Sequence, residues 1–383
     1  MRNKKKILVS CLILLVCNIS PTWAVSKGMK KVVDDALDFS VKQSMSMFNE
    51  MKSQKGILPR SAKDGKMITC ESSWWTSGFY PGTLWYCYEY SNDPQVRTAA
   101  EEMTSRVENQ KYTTNNHDVG FIINCSFGNG YRLTHNESYR EVIKTAANSL
   151  STRFHPITGC TRSWNNKKWQ FSVIIDNMMN LELLTVASSM TGDNSYYNKA
   201  KSHADRTMIN HFRPDGSSYH VVSYDTITGK VINQVTHQGA NDQSAWSRGQ
   251  AWGLYGFTMM YRQTGKKEYL EHAIKIAKFI MNHPRLPKDK IPYWDFDAPN
   301  IPKENRDASA GAIMASAYVE LSTYVPGELG KQFLTMGEQQ IKSLASPAYR
   351  AKKVGDNNHF IIQHCIGSVS YTHLRAHETV LDL

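Results

Sequence analysis

The sequence predicts an all-α protein built as a ring of helical hairpins, with an inner ring of helices wrapped by an outer one. Three observations carry this: apolar residues recur at helical spacing, the breaks between helices share one punctuation, and weakly charged helices alternate with charged ones. In one segment Tyr139, Val142, Ile143, Ala146, Ala147 and Leu150 fall at i, i+3, i+4, i+7, i+8 and i+11, which is one face of an α-helix. Tyr269, Ala273, Ile274, Ala277 and Ile280 repeat the idea. No β-type alternation runs as long. Short extended pieces are expected at 168–171 and 219–235, where Gly229 marks a turn.

The punctuation reads Thr134-His135-Asn136-Glu137-Ser138-Tyr139, Thr191-Gly192-Asp193-Asn194-Ser195-Tyr196 and Thr264-Gly265-Lys266-Lys267-Glu268-Tyr269, with Ser91-Asn92-Asp93-Pro94 as a looser copy. Glycine suits the stop of one helix and the polar residues start the next. Intervals of 57 and 73 residues between the copies suggest a repeated hairpin with insertions. Residues 139–152, 195–211 and 267–283 carry charge on one face and read as outer helices. Residues 78–90, 118–131, 176–189, 248–261 and 307–318 carry little charge and read as inner helices, buried on most sides. Roughly six hairpins fit the length at about 12 residues per helix plus loops.

The chain has 383 residues, 41% hydrophobic and 21% charged, as a soluble globular protein should. Aromatics reach 11%, enough to line a sugar cleft or simply to fill a large core. Residues 1–24 look like an export signal: a basic start at Arg2 and Lys4, Lys5 and Lys6, a short apolar core, and a small residue at Ala24 suited to cleavage. That apolar run is too short to span a membrane, and no later segment is apolar enough. A periplasmic location is the expectation. Leu14-Leu15-Val16-Cys17 is a poor lipoprotein box, because Val precedes the cysteine. Removing the signal would lower the net charge from +11 to +7. The lysines are scattered, so nucleic-acid binding has little support, whereas a basic surface would steer an acidic glycan. Five cysteines remain beyond the signal: Cys70, Cys87, Cys125, Cys160 and Cys365. They are odd in number, widely spaced and without C-x-x-C, so neither a zinc site nor a disulfide framework is indicated. No phosphate or dinucleotide loop occurs. The sequence gives no reading of oligomeric state.

Two aspartates each begin an inner helix, in Asn115-Asn116-His117-Asp118-Val119-Gly120-Phe121 and Ile174-Ile175-Asp176-Asn177-Met178-Met179-Asn180-Leu181. Fifty-eight residues separate them, about one hairpin plus its connections. Inner helices of such a ring run the same way, so their N-termini share one rim. That rim would collect Trp74, Trp75, Phe79, His117, Asp118, Asp176, Arg248, Trp252 and Asp307. Either aspartate alone reads well as a helix N-cap. As a pair they suit acid/base work, because mutual repulsion can hold one of them protonated near neutrality. Arg248, flanked by Trp246 and Trp252, could grip a carboxylate or sulfate, or pair structurally with Asp242 or Asp307. His220 and Gln238 lie in the insertion before that helix, within reach of sugar hydroxyls. Trp75 and Trp252 could stack on sugars or fill the core. Asp307 reads as a cap, with Arg306 and Ser309 as local partners.

Five ordered motifs resemble the unsaturated glucuronyl hydrolases of glycoside hydrolase family 88. They are Trp75-Thr76-Ser77-Gly78-Phe79-Tyr80-Pro81-Gly82-Thr83-Leu84-Trp85, His117-Asp118-Val119-Gly120-Phe121, Ile175-Asp176-Asn177-Met178-Met179-Asn180, Ser247-Arg248-Gly249-Gln250-Ala251-Trp252 and Arg306-Asp307-Ala308-Ser309-Ala310. The resemblance runs from about residue 30 to Ser368. It implies an (α/α)6 barrel of six hairpins over 25–368 and release of an unsaturated uronic acid from lyase-generated acidic oligosaccharides. It also implies Asp176 as the acid/base that protonates C4 of the C4=C5 bond and activates water, with Asp118 as the second essential carboxylate. Trp75, His117, His220, Gln238, Arg248 and Trp252 match substrate-contacting positions, and no cofactor or metal is implied. Residues 369–383 depart from the family pattern and look foreign, so the twelfth helix is expected to be missing and an apolar seam exposed. A related unsaturated rhamnogalacturonyl hydrolase, or a non-catalytic glycan-binding helical repeat, are the alternative readings.

Overall fold

The structure, a computed structural model, describes residues 26–367 and the two-residue strand His377–Glu378. The expected signal and the expected loss of the twelfth helix fall on residues outside those described. Within them the chain alternates between two rings of helices. The outer helices are α1 (Lys27–Met51), α3 (Pro94–Ser105), α6 (Glu137–Ser151), α8 (Asn194–Asn210), α10 (Lys267–Asn282) and α12 (Gly327–Leu344). The inner ones are α2 (Phe79–Ser91), α4 (Val119–Ile123) continuing through a π turn into α5 (Asn129–Thr134), α7 (Asn177–Thr191), α9 (Ser247–Thr264) and α11 (Ala308–Tyr324). Each inner helix packs on the outer helix that follows it, and α1 packs on both α2 and α12.

Burial separates the two rings as the charge pattern does. On α6 only the stripe Val142, Ile143, Ala146, Ala147, Ser149 and Leu150 is buried. On α9 thirteen of eighteen residues are buried, so that helix is enclosed on most sides. One continuous core joins the rings, from Met47 on α1 to Met336 on α12.

The recurring punctuation has a single conformation. Asn92, His135, Gly192 and Gly265 are the left-handed residues that end α2, α5, α7 and α9. Asp93, Asn136 and Asp193 follow, and each accepts the backbone N–H two residues on, capping the next helix. Lys266 stands in the same place without a side-chain cap.

Three small sheets decorate the rim. The extended piece expected at 219–235 forms β6 (Val221–Tyr224) and β7 (Val231–Val235); residues 168–171 hold no strand, and β5 (Ser172–Ile174) begins just after them, the three making an antiparallel sheet in the order β5, β6, β7. The hairpin of β1 (Ile57–Lys63) and β2 (Lys66–Glu71) was not anticipated. Its signal was present: Asp64-Gly65 turns the chain with both residues at positive φ, the two-residue turn that matches strand twist. The remaining strands are the short pair β3 (Phe154–His155) and β4 (Cys160–Thr161), and β8 (His377–Glu378), which pairs with β1.

Inner helices approach closely where glycine permits. A Cβ at Gly120 would sit 2.6 Å from the Cα of Asn180, so α4 meets α7 backbone to backbone. Gly120→Ala should force these helices apart and cost about 1–3 kcal/mol. Gly28→Ala, where nothing lies within 4 Å, should stay within about 1 kcal/mol of the parent. Urea unfolding midpoints of the two variants test this, and equal midpoints would refute the close contact.

Candidate active site

Asp118 and Asp176 precede α4 and α7 in the N-cap position, yet neither side chain accepts a hydrogen bond from its own helix. Capping does not explain them. Asp307, by contrast, is a true cap: its carboxylate accepts from the N–H groups of Ser309 and Ala310 and from the Ser309 hydroxyl. Arg306 is not among its partners, because that guanidinium pairs with Asp289 instead.

The sheet sets the Asp176 side of the pocket. Ile175 donates its N–H to the His220 carbonyl at 3.0 Å, continuing the β5–β6 ladder past Val221. Asp176 and His220 therefore leave the sheet edge together, with His220 Nε2 3.6 Å from Asp176 Oδ2. Beyond β7 the chain folds back, and the N–H groups of His237 and Gln238 both donate to His220 Nδ1 at 3.1 Å. An imidazole nitrogen that accepts carries no proton, so the ring proton of neutral His220 is on Nε2, toward Asp176.

On the other side His117 Nε2 lies 3.5 Å from Asp118 Oδ1. Both histidines are fully enclosed, and burial pushes their pKa down, to about 3 for His117 and well below the ordinary value for His220. Each is a neutral imidazole beside a carboxyl group. Both separations exceed an ordinary hydrogen bond.

Burial also pushes both carboxyl groups up, Asp118 to about 7 against the nearby Arg153 charge and Asp176 to about 7 against Arg248. The negative charge of Asp118 raises Asp176 further, though less than burial does. Mutual repulsion, the expected cause, is therefore the smaller one. The side chains remain 18% and 13% exposed, so a solute can reach them.

Aromatic rings form the wall. Trp75 meets Phe79 and Phe121 edge-on, and Phe121 lies against Trp252, with ring centroids 5.2–5.8 Å apart. Trp252 is fully buried; its indole N–H faces Asp176 and favours the ionised carboxyl without reaching ordinary hydrogen-bond geometry. Trp75 is only half-buried. Trp74 instead lies under Arg60, 3.7 Å from guanidinium carbon to ring centre. Arg248 turns inward: it pairs with Asp307 at 3.0 Å, donates to the carbonyls of Ile366 and Gly367, and reaches Gln238 Oε1 at 3.3 Å. The structural pairing open in the sequence is thus with Asp307 rather than Asp242.

Sequence reasoning missed several contributors. Arg153 is held by the carbonyls of Thr114, Arg162 and Ser163 behind Asp118. Trp164 bridges to Asn116 and meets His220 edge-on. Trp246 packs on His220 at 4.6 Å. Asn180 was visible, since i+4 from Asp176 puts it on the same helical face, but its partners lie in another hairpin. Among the described residues no three His, Cys, Asp or Glu side chains converge to hold a metal ion. A cavity of about 580 Å³ begins beneath the site at Phe79, Phe121 and Met179 and runs down the barrel to Arg132 and Arg262, without touching either aspartate.

The model of Glycosyl Hydrolase Family 88 matches residues 41–283. The chain belongs to that family. It is 46% identical over 297 residues to an unsaturated glucuronyl hydrolase of Formosa agariphila, covering 77% of this chain and 73% of that one. It is 33% identical to an unsaturated chondroitin disaccharide hydrolase of Streptococcus pyogenes serotype M1, covering 77% and 74%. A crystal structure of an unsaturated glucuronyl hydrolase specific for heparin superposes with a TM-score of 0.86 at 44% identity, covering 90% of this chain and 93% of that one. The fold of this family 88 hydrolase is accordingly the α/α barrel.

Raised carboxyl pKa values have a sign in stability. A buried aspartate that keeps its proton to about pH 7 in the native state, but loses it near 3.8 when unfolded, makes the native state bind more protons between those values. Stability therefore falls as pH rises from about 4 to 7. Asp118→Asn and Asp176→Asn should each remove this penalty. Each variant should be more stable than the parent by up to about 4 kcal/mol at pH 8, with the difference vanishing near pH 4. Denaturant titrations at both pH values provide the check, and a loss of stability at pH 8 would contradict the burial argument.

Proposed function

We propose that this family 88 hydrolase removes the unsaturated uronic acid from the non-reducing end of lyase-generated acidic oligosaccharides by hydrating the C4=C5 bond. The supporting observation is the pair of enclosed carboxyl groups that cap nothing, each faced by a neutral histidine. Asp176 gives its proton to C4. Water adds its hydroxyl at C5 and returns a proton to the Asp176 carboxylate, restoring the acid. The product is a hemiketal at C5. Its ring opens to a C5 ketone, leaving C1 as a hemiacetal, which collapses to an aldehyde and expels the rest of the oligosaccharide. Asp118, with His117, would hold the sugar and tune Asp176. Because the reaction is hydration, carboxylate separation carries no message about inversion or retention.

The half-exposed Trp75 face suits stacking on the sugar ring, with His220 and Gln238 nearby for its hydroxyls. The relatives named for heparin and chondroitin favour a glycosaminoglycan source over pectin. The basic net charge would draw such anions toward the rim. Export to the periplasm fits this role, supported by the basic start and apolar core of residues 1–24.

The conjugated double bond absorbs in the ultraviolet, so its consumption is read directly. A panel of unsaturated heparin, chondroitin, hyaluronan, ulvan and pectin disaccharides should show loss of absorbance with at least one acidic member. Asp176→Asn should lower kcat by about 100-fold or more. Undiminished turnover in that variant would reject Asp176 as the acid/base. Since the acid must be protonated, kcat/KM should fall as pH rises through about 7. A rate that climbs steadily to pH 9 would reverse the assignment of roles.

A further inference from the structure

Helix α4 begins with an unusual division of labour. Its first-turn N–H groups need acceptors, and Asp118 stands where a capping carboxylate would take the N–H of Phe121. That N–H instead donates to Asn180 Oδ1, at 2.7 Å, across from α7. This contact settles the orientation of the Asn180 amide, because only its oxygen can accept. Its nitrogen then faces His117 Nδ1 at 3.2 Å and must be the donor, so Nδ1 is bare and the ring proton sits on Nε2. Nε2 is the nitrogen nearest Asp118. Asn180, His117 and the Phe121 backbone are all buried, so no bulk water competes for these contacts.

We propose that Asn180 is a positioning residue, which caps α4 in place of Asp118 and fixes His117 as the tautomer that presents its N–H to that carboxylate. It does two jobs with one amide. The oxygen releases Asp118 from its own helix, and the nitrogen aims a donor at it. The close approach at Gly120 makes this possible, since any side chain there would collide with Asn180. The arrangement repeats across the pocket, where backbone N–H groups fix His220 in the same tautomer beside Asp176. The catalytic meaning of the proposal rests on the function proposed above; the tautomer does not.

Two readouts test it on the full chain. The first is the ¹⁵N spectrum of the His117 ring in histidine-labelled protein, assigned by the resonance that disappears in His117→Gln. A protonated Nε2 and bare Nδ1 are expected. In Asn180→Asp, read above the pKa of the new carboxyl group, the carboxylate still accepts from Phe121 but can no longer donate to Nδ1, so the proton should move to Nδ1. The second readout is kinetic: Asn180→Asp should lower kcat about 10- to 100-fold, with KM changed by less than about threefold. A parent ring protonated on Nδ1 overturns the proposal outright, whether or not the variant folds. A variant that keeps the parent tautomer, or that flips it with kcat unchanged, also overturns it. Should the parent turn over no unsaturated disaccharide, the function falls while the spectrum still decides the tautomer.

Discussion

The site depends on shielding two carboxyl groups from most of the water without giving either of them a full partner. Desolvation penalises the charged form, and here it outweighs the nearby guanidinium groups. A full ion pair would undo this by holding the acid ionised. The pocket supplies neutral imidazoles instead, which can meet a carboxyl oxygen without adding charge. Arg248, whose charge opposes the rise in the Asp176 pKa, is occupied by Asp307 and by main-chain carbonyls. Arg153 is similarly held by carbonyls. Each cation is thus fixed at a distance where it tempers the acids and does not neutralise them.

The barrel is what makes such a pocket possible. Helices of one ring run the same way, so their starts converge on one rim, and residues from separate hairpins become neighbours. Helix starts also bring exposed N–H groups that favour anions. A carboxylate placed there would normally be consumed as a cap. Asp307 shows the usual outcome on α11, whereas on α4 the amide of Asn180 takes that role. The same helical position thus yields a structural acid in one case and an available acid in the other, and the difference lies in the neighbouring helix.

Periodicity made the rings legible before any coordinates, since burial on α6 follows the apolar stripe and burial on α9 follows the lack of charge. The two aspartates were legible for the same reason: acidic residues opening two weakly charged helices are conspicuous. What stayed hidden has a common cause. The Asn180 to Phe121 bond spans 59 residues, the Arg248 to Gly367 bond spans 119, and the fixing of His220 depends on a strand register. No local pattern encodes such pairings. The β1–β2 hairpin is a different case, because its turn, Asp64-Gly65 with both residues at positive φ, is a local signal.

On the proposed reading, the ligand's own charge joins this electrostatic design. An unsaturated uronic acid carries a carboxylate, and bringing it to the rim places a third negative charge near Asp118 and Asp176. Like charge and further exclusion of water both raise a carboxyl pKa. Binding would therefore favour the protonated Asp176 that the first step needs, while the proton's transfer to C4 leaves an anion that an Nε2–H of His220 can meet. Arg153 and Arg248 limit how far this goes, since without some positive potential an anionic sugar would not enter at all. The fold holds the acids near the balance point, and the substrate tips them toward the form that reacts.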